Sequence, residues 1–130
     1  MNKAKKAVWA FSILAVIVIA ALWIIAPSNT PEGNISADKI IFYYGITCPH
    51  CKNVEVFMDE KNADSILPIE RKEVYLNKTN ADELIEIGKI CKIDKDYIGA
   101  VPLTYFNGTC FLGDTDSIAF LEQKLAEVSQ

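Results

Sequence analysis

The stretch that decides the fold is residues 39–58, which read KIIFYYGITCPHCKNVEVFM. Residues 39–44 are one lysine followed by five apolar or aromatic residues and predict a central strand, which Gly45 ends. Apolar residues then recur at helical spacing, so a helix is predicted to run to about Asn62. The tetrapeptide CPHC at residues 48–51 therefore stands where a strand turns into a helix.

Two cysteines with this spacing at a helix N-terminus have a defined chemistry. Cys48 meets unpaired N–H groups and the positive end of the helix dipole, which favour a thiolate. Cys51 lies nearly one turn further on and can resolve a mixed disulfide formed at Cys48. His50 can stabilise the Cys48 thiolate and make the disulfide more oxidising, or it can be an exposed turn histidine. Cys48, Pro49, His50 and Cys51 are the predicted catalytic residues.

Three other uses of a cysteine pair are less consistent with these residues. Covalent c-type haem needs a histidine directly after the second cysteine, where the chain has Lys52. Structural zinc usually takes a second closely spaced pair, whereas Cys91 and Cys110 are 19 residues apart. An inert disulfide needs no Pro-His between its cysteines. No metal and no organic cofactor is expected.

The rest of the C-terminal part predicts an α/β domain of order β-α-β-α-β-β-α over residues 39–130. Its further strands are predicted at residues 69–76, 103–106 and 109–112, the last two joined through Asn107-Gly108. Asn80 is predicted to cap the second helix and Asp114 the third. The inward face of the last helix is predicted to be Ile118, Leu121, Leu125 and Val128.

The N-terminus has the pattern of a membrane anchor. Residues 7–26 contain one polar residue, Ser12, and as a helix they would span about 30 Å, the thickness of the bilayer core. Three lysines lie in residues 1–6 and no basic residue follows until Lys39, which predicts a cytoplasmic tail and an extracytoplasmic domain. A cleaved signal peptide is the main alternative, and a buried core helix is the other. Residues 27–38 predict a linker.

Charge excludes one class of partner. All 17 acidic residues follow residue 26, whereas three of the 13 basic residues precede it. The acidic domain would be repelled by phosphate backbones, so no nucleic-acid partner is expected.

These features resemble the thioredoxin superfamily. The resemblance covers roughly residues 39–128 and rests on strand-CPHC-helix, then Val101-Pro102 before a strand, a hairpin and a C-terminal helix. It implies a thioredoxin-like fold, with a central mixed sheet flanked by helices. The CPHC tetrapeptide and the valine before the proline are similar to those of the periplasmic oxidase DsbA. The resemblance also implies that Pro102 is cis beside the disulfide and that the Val101 backbone pairs with substrate.

Two departures from the family pattern stand out. Thioredoxin and DsbA have a buried acid six residues before the first cysteine, where this chain has Phe42. DsbA also carries a large helical insertion, whereas only about 25 residues separate Leu76 from Pro102. The domain is closer to a minimal thioredoxin or glutaredoxin scaffold, such as those fused to vitamin-K-epoxide-reductase-like oxidases.

The remaining cysteines, Cys91 and Cys110, are compatible with a structural disulfide, because exported proteins keep disulfides. Such a bridge would close about 20 residues and brace the strand that carries Pro102. Two unpaired cysteines, or a relay that exchanges electrons with Cys48–Cys51, are the alternatives.

Together these features predict a membrane-anchored thiol–disulfide oxidoreductase outside the cytoplasm, in the periplasm or at the cell surface. Its favoured task is to form or isomerise disulfides in exported proteins, with a DsbB-like or vitamin-K-epoxide-reductase-like membrane partner. One rival is a reductase fed by a membrane electron donor. The other is a non-catalytic thioredoxin-fold binding module.

Overall fold

The computed structural model describes residues 38–130. The predicted tail at residues 1–6, the predicted anchor at residues 7–26 and all but the last residue of the predicted linker lie outside the described residues. None of the helices between residue 38 and the C-terminus has the length and apolar content of a membrane span.

Four strands and four helices make up the described chain. The strands are β1 (Ile40–Tyr44), β2 (Ile69–Glu73), β3 (Leu103–Phe106) and β4 (Thr109–Leu112). The helices are α1 (Pro49–Glu60), α2 (Ala63–Ile66), α3 (Lys78–Ile90) and α4 (Asp114–Val128). The predicted order is found, with the one-turn helix α2 added between α1 and β2.

The strands form one mixed sheet in the order β2-β1-β3-β4. Strand β1 pairs in parallel with β2 and antiparallel with β3, and β3 forms an antiparallel hairpin with β4. Parallel neighbours need a crossover connection, which α1 and α2 supply, whereas Asn107-Gly108 suffices for the hairpin. A mixed sheet with flanking helices is the architecture that the resemblance to the thioredoxin superfamily implies.

The sheet separates two hydrophobic clusters because alternate residues of β1 point to opposite faces. Ile40 and Phe42 lie in the cluster that includes Cys51 of α1 and Phe120 of α4. Ile41 and Tyr43 lie in the other cluster, with buried residues of α3. The central strand is thus buried on both faces, which explains its nearly continuous apolar sequence.

Strand β2 ends and helix α3 begins three residues earlier than predicted. The Glu73 carboxylate accepts hydrogen bonds from the backbone N–H of Tyr75 (2.8 Å) and Leu76 (2.7 Å), which turns the chain where the strand was expected to continue. Asn77, not Asn80, is the N-cap, because its side chain accepts from Asn80 N at 3.2 Å. Asn80 instead donates its side-chain N–H to Glu73 O at 2.8 Å.

Helix α4 differs from its prediction in its cap and its inward face. Gly113 is the N-cap residue and Asp114 the first helical residue. Ser117 and Phe120 are buried with Leu121, whereas Val128 is 60% exposed. Phe120 stacks on Phe111 of β4, with ring centroids 4.1 Å apart, which places Phe120 on the buried face of the helix. Val128 is the last residue of the helix.

Candidate active site

Cys48 and Cys51 are placed by the junction between β1 and α1. Cys48 is the N-cap of α1, with Pro49 directly after it, and its backbone N–H donates to Gly45 O at 3.0 Å. Cys48 Sγ also accepts from Cys51 N at 3.2 Å. The two cysteines are joined as a disulfide, with Cα atoms 5.2 Å apart. The peptide dipoles of α1 are therefore directed at the Cys48 sulfur.

The two sulfurs differ in their access to solvent. Cys51 is completely buried, whereas Cys48 is partly exposed. An external thiolate can therefore approach Cys48 and cannot reach Cys51. In an exchange with an external thiolate, this asymmetry would favour attack at Cys48, with Cys51 as the leaving group.

Cys51 lies in an apolar environment. Phe42, six residues before Cys48, is also fully buried and belongs to the same cluster. The buried members of this cluster are Ile40, Phe42, Cys51, Val54, Met58, Ala63, Leu67, Phe120 and Leu121. None of them carries a charge, so an ionised Cys51 would be poorly solvated.

Val101 and Pro102 meet the cysteine pair although they are about fifty residues away in sequence. The peptide bond between them is cis, and Val101 O lies 3.8 Å from Cys48 Sγ. Pro102 is buried, and its carbonyl oxygen accepts from Gly113 N at 2.8 Å. The Val101 backbone thus lies beside the sulfur that an external thiolate can reach.

His50 has a partner that the sequence analysis treated only as a helix cap. Its Nδ1 lies 3.0 Å from Asp114 Oδ2, and Asn53 Nδ2 donates to the same oxygen at 2.7 Å. The hydrogen bond from Asn53, followed by that from His50, lowers the pKa of Asp114 to about 2. No local pattern links His50 to Asp114, 64 residues later, because only the packing of α4 against α1 brings them together.

The lowered pKa of Asp114 predicts a change in acid stability. A carboxyl whose pKa falls on folding stabilises the native state above its unfolded value, near 3.8, and loses that contribution as the pH falls towards 2. Asp114→Asn is therefore expected to flatten the decline in stability between about pH 4 and pH 2. Acid unfolding followed by circular dichroism measures this. Equal slopes for both proteins in that window would contradict it.

Cys91 and Cys110 form a second disulfide, with Cα atoms 5.9 Å apart. Cys91 is the C-cap residue of α3, and Cys110 is opposite Tyr105 in the hairpin. Both pack against the cluster that contains α3, whereas Cys51 belongs to the cluster on the other face of the sheet. The bridge ties α3 to the hairpin, and the sheet separates it from the Cys48–Cys51 pair.

Thr104 is a buried polar residue on β3, close in sequence to Pro102. It follows Pro102 by two residues and pairs across the sheet with Phe42 and Phe111. Its hydroxyl has no hydrogen-bond partner among the described residues, although the residue is fully buried. Desolvation without compensation makes such a group costly.

Thr104→Val is therefore expected to raise the free energy of unfolding by about 1 kcal/mol, because a methyl group replaces the unpaired hydroxyl. Urea titration of both proteins measures this. Ser117→Ala is the matched control, since the buried Ser117 hydroxyl donates to Phe111 O at 3.1 Å and its loss should destabilise the fold. A destabilised Thr104→Val would refute the prediction.

Within residues 38–130, no three or more His, Cys, Asp or Glu side chains are grouped so that they could hold a metal ion.

Comparison with known proteins gives a structural likeness and no sequence match. No family model and no curated protein matches the chain. Among solved structures, the chain is similar to glutaredoxin 1 from Francisella tularensis, determined in complex with cacodylate. The two share 22% sequence identity with a TM-score of 0.45, over 68% of this chain and 96% of the glutaredoxin chain.

Proposed function

We propose that the chain is a thiol–disulfide oxidoreductase with Cys48 as nucleophile and Cys51 as resolving thiol. One observation carries the proposal. An accessible sulfur and a buried sulfur are paired at a helix N-terminus, with the Val101 carbonyl oxygen 3.8 Å from the accessible one. A purely structural disulfide has no need of this exposed attack point.

Oxidation of a substrate dithiol proceeds in two exchanges. A substrate thiolate attacks Cys48 Sγ, the Cys48–Cys51 bond breaks, and Cys51 leaves as a thiolate that takes up a proton. The second substrate thiolate then attacks the substrate sulfur of the mixed disulfide and releases Cys48 as a thiolate. The substrate loses two electrons and gains a disulfide, while the cysteine pair gains two electrons. Run backwards, the same steps reduce a disulfide, and a partial cycle isomerises one.

The favoured direction is oxidation or isomerisation of disulfides. The N-terminus of α1 stabilises a Cys48 thiolate and therefore the reduced pair, which makes the disulfide a better oxidant. The apolar surroundings of Cys51 make its thiolate the poorer of the two. After the substrate is released, the reduced pair is thus expected to carry its thiolate on Cys48 and its thiol on Cys51.

The extended substrate is proposed to lie along Val101 and Pro102, where backbone pairing by strand addition can hold a peptide. An exposed apolar patch of Ile46, Tyr75 and Leu76 borders the loop before Cys48. Glu73 holds this patch together, since its carboxylate accepts from the backbone N–H of all three residues. An apolar patch that borders the loop before Cys48 suits a polypeptide better than a small polar thiol.

The cellular setting follows from the N-terminal sequence. We propose that residues 7–26 anchor the chain in a membrane, with residues 1–6 cytoplasmic and the domain extracytoplasmic. The partners would be thiols and disulfides of exported proteins. A membrane thiol oxidase of the DsbB-like or vitamin-K-epoxide-reductase-like kind would reoxidise the Cys48–Cys51 pair.

The test is a redox titration of the full chain in mild detergent. The protein is equilibrated in glutathione buffers, and alkylation with mass spectrometry then counts the free thiols at each cysteine. A midpoint for Cys48–Cys51 well above about −200 mV supports the oxidase or isomerase. A midpoint near −270 mV, the thioredoxin value, would make the protein a reductase. The absence of reversible exchange would refute the enzymatic function and leave a binding module.

A further inference from the structure

His50 is an exposed side chain of the CPHC turn that has a polar contact with another helix. Its ring is 70% exposed, and its polar contact in the described part of the chain is Asp114 on α4. An exposed ring without a partner would sample several rotamers, and its average effect on a neighbouring sulfur would be diluted. The contact with Asp114 removes that freedom.

Asp114 is itself held in place. Its side chain is 25% exposed, and Asn53 of α1 donates to the oxygen that His50 contacts. Asp114 Oδ1 also accepts from Thr115 N at 3.1 Å, which fixes the carboxylate against the first turn of α4. Both carboxylate oxygens are therefore engaged, and the group is a fixed acceptor at the junction of α1 and α4.

The contact with Asp114 determines which ring nitrogen of His50 carries a proton. An ionised carboxylate only accepts hydrogen bonds, so His50 Nδ1 must carry the proton that is shared with Asp114. Nε2 is left to face away from Asp114, and when the ring is doubly protonated the contact is an ion pair. The orientation of the imidazole relative to the first turn of α1 is thus set by a residue of a different helix.

We propose that Asp114, supported by Asn53, is a positioning residue that holds His50 beside the cysteine pair and thereby sets its redox equilibrium. This inference rests on the proposed function of Cys48 and Cys51. A fixed imidazole stabilises the Cys48 thiolate, so the dithiol is favoured and the disulfide is more oxidising. Loss of Asp114 releases the ring and makes the disulfide less oxidising.

A direct effect of the Asp114 charge would act in the opposite direction. A carboxylate near Cys48 disfavours a thiolate, so its removal would make the disulfide more oxidising if no histidine mediated the effect. The sign of the change therefore separates the two roles. The His50→Ala variant distinguishes the two roles in a second way. If Asp114 acts only by positioning His50, substitution of Asp114 in that variant should not change the redox equilibrium.

The experiment measures the equilibrium constant between the full-length protein and glutathione at pH 7. Asp114→Ala is expected to make the disulfide about two- to fivefold less oxidising, which is the range of an exposed charged contact. His50→Ala should give a change of similar size, and the double variant should equal His50→Ala alone. Asn53→Ala should give a smaller change of the same sign.

Asp116→Ala is the matched control, because Asp116 lies in the same first turn of α4 and makes no described contact with His50. It should leave the equilibrium constant unchanged. Reversible exchange in the wild type with no change in Asp114→Ala would overturn this inference alone, as would a more oxidising variant or an effect that persists without His50. Loss of exchange in the wild type itself would overturn the proposed function and this inference together.

Discussion

Cys48→Ser is expected to abolish disulfide exchange, with the rate reduced at least about a thousandfold. A serine hydroxyl is not ionised at neutral pH and forms no disulfide, and Cys51 cannot replace Cys48 because it is completely buried. The measurement is the rate at which the full chain oxidises a reduced peptide that contains two cysteines, followed by alkylation and mass spectrometry.

Cys51→Ser provides the complementary result. In this variant Cys48 can attack the disulfide of an oxidised peptide, and one peptide sulfur leaves as a thiolate. Without a resolving thiol, the mixed disulfide between Cys48 and the other peptide sulfur should accumulate. Mass spectrometry under non-reducing conditions should find the peptide attached to Cys48. Full exchange activity in Cys48→Ser, or a peptide attached to Cys51 in that variant, would contradict the assigned roles.

Removal of the second bridge is expected to cost about 3 kcal/mol of unfolding free energy in Cys91→Ser/Cys110→Ser. The two cysteines are 19 residues apart in sequence, and a cross-link that closes such a loop restricts the unfolded chain by about this amount. Urea titration of the full chain in detergent, with both proteins oxidised, measures the difference.

A reductant supplies the control for this second prediction. In a Cys48→Ser/Cys51→Ser background, only the Cys91–Cys110 bridge can be opened, so dithiothreitol should lower the stability by the same amount as the double substitution. Equal midpoints with and without the bridge would show that it contributes nothing to stability. The exchange reaction should persist, because Cys48 and Cys51 belong to the cluster on the other face of the sheet.

Several elements were predictable because their signals are local. The apolar run of β1 reflects burial on both faces, and Asn107-Gly108 supplies positive φ values of 45° and 82° for the hairpin turn. The predicted start of α3 was wrong because Asn77 and Asn80 are both residues that commonly cap helices. The choice between them depends on Glu73, whose backbone carbonyl oxygen accepts a hydrogen bond from the Asn80 side chain.

The amino-acid sequence by itself determined the cysteine pair at a strand-to-helix junction, because two cysteines three positions apart in a helical turn must lie close together. Only the tertiary structure decided what surrounds them. Packing of α4 on α1 brings Asp114 to His50, and pairing of β3 with β1 brings the Val101 carbonyl oxygen to Cys48. Local spacing is set by backbone geometry, whereas contacts between residues fifty to sixty positions apart depend on how the elements pack around the shared sheet.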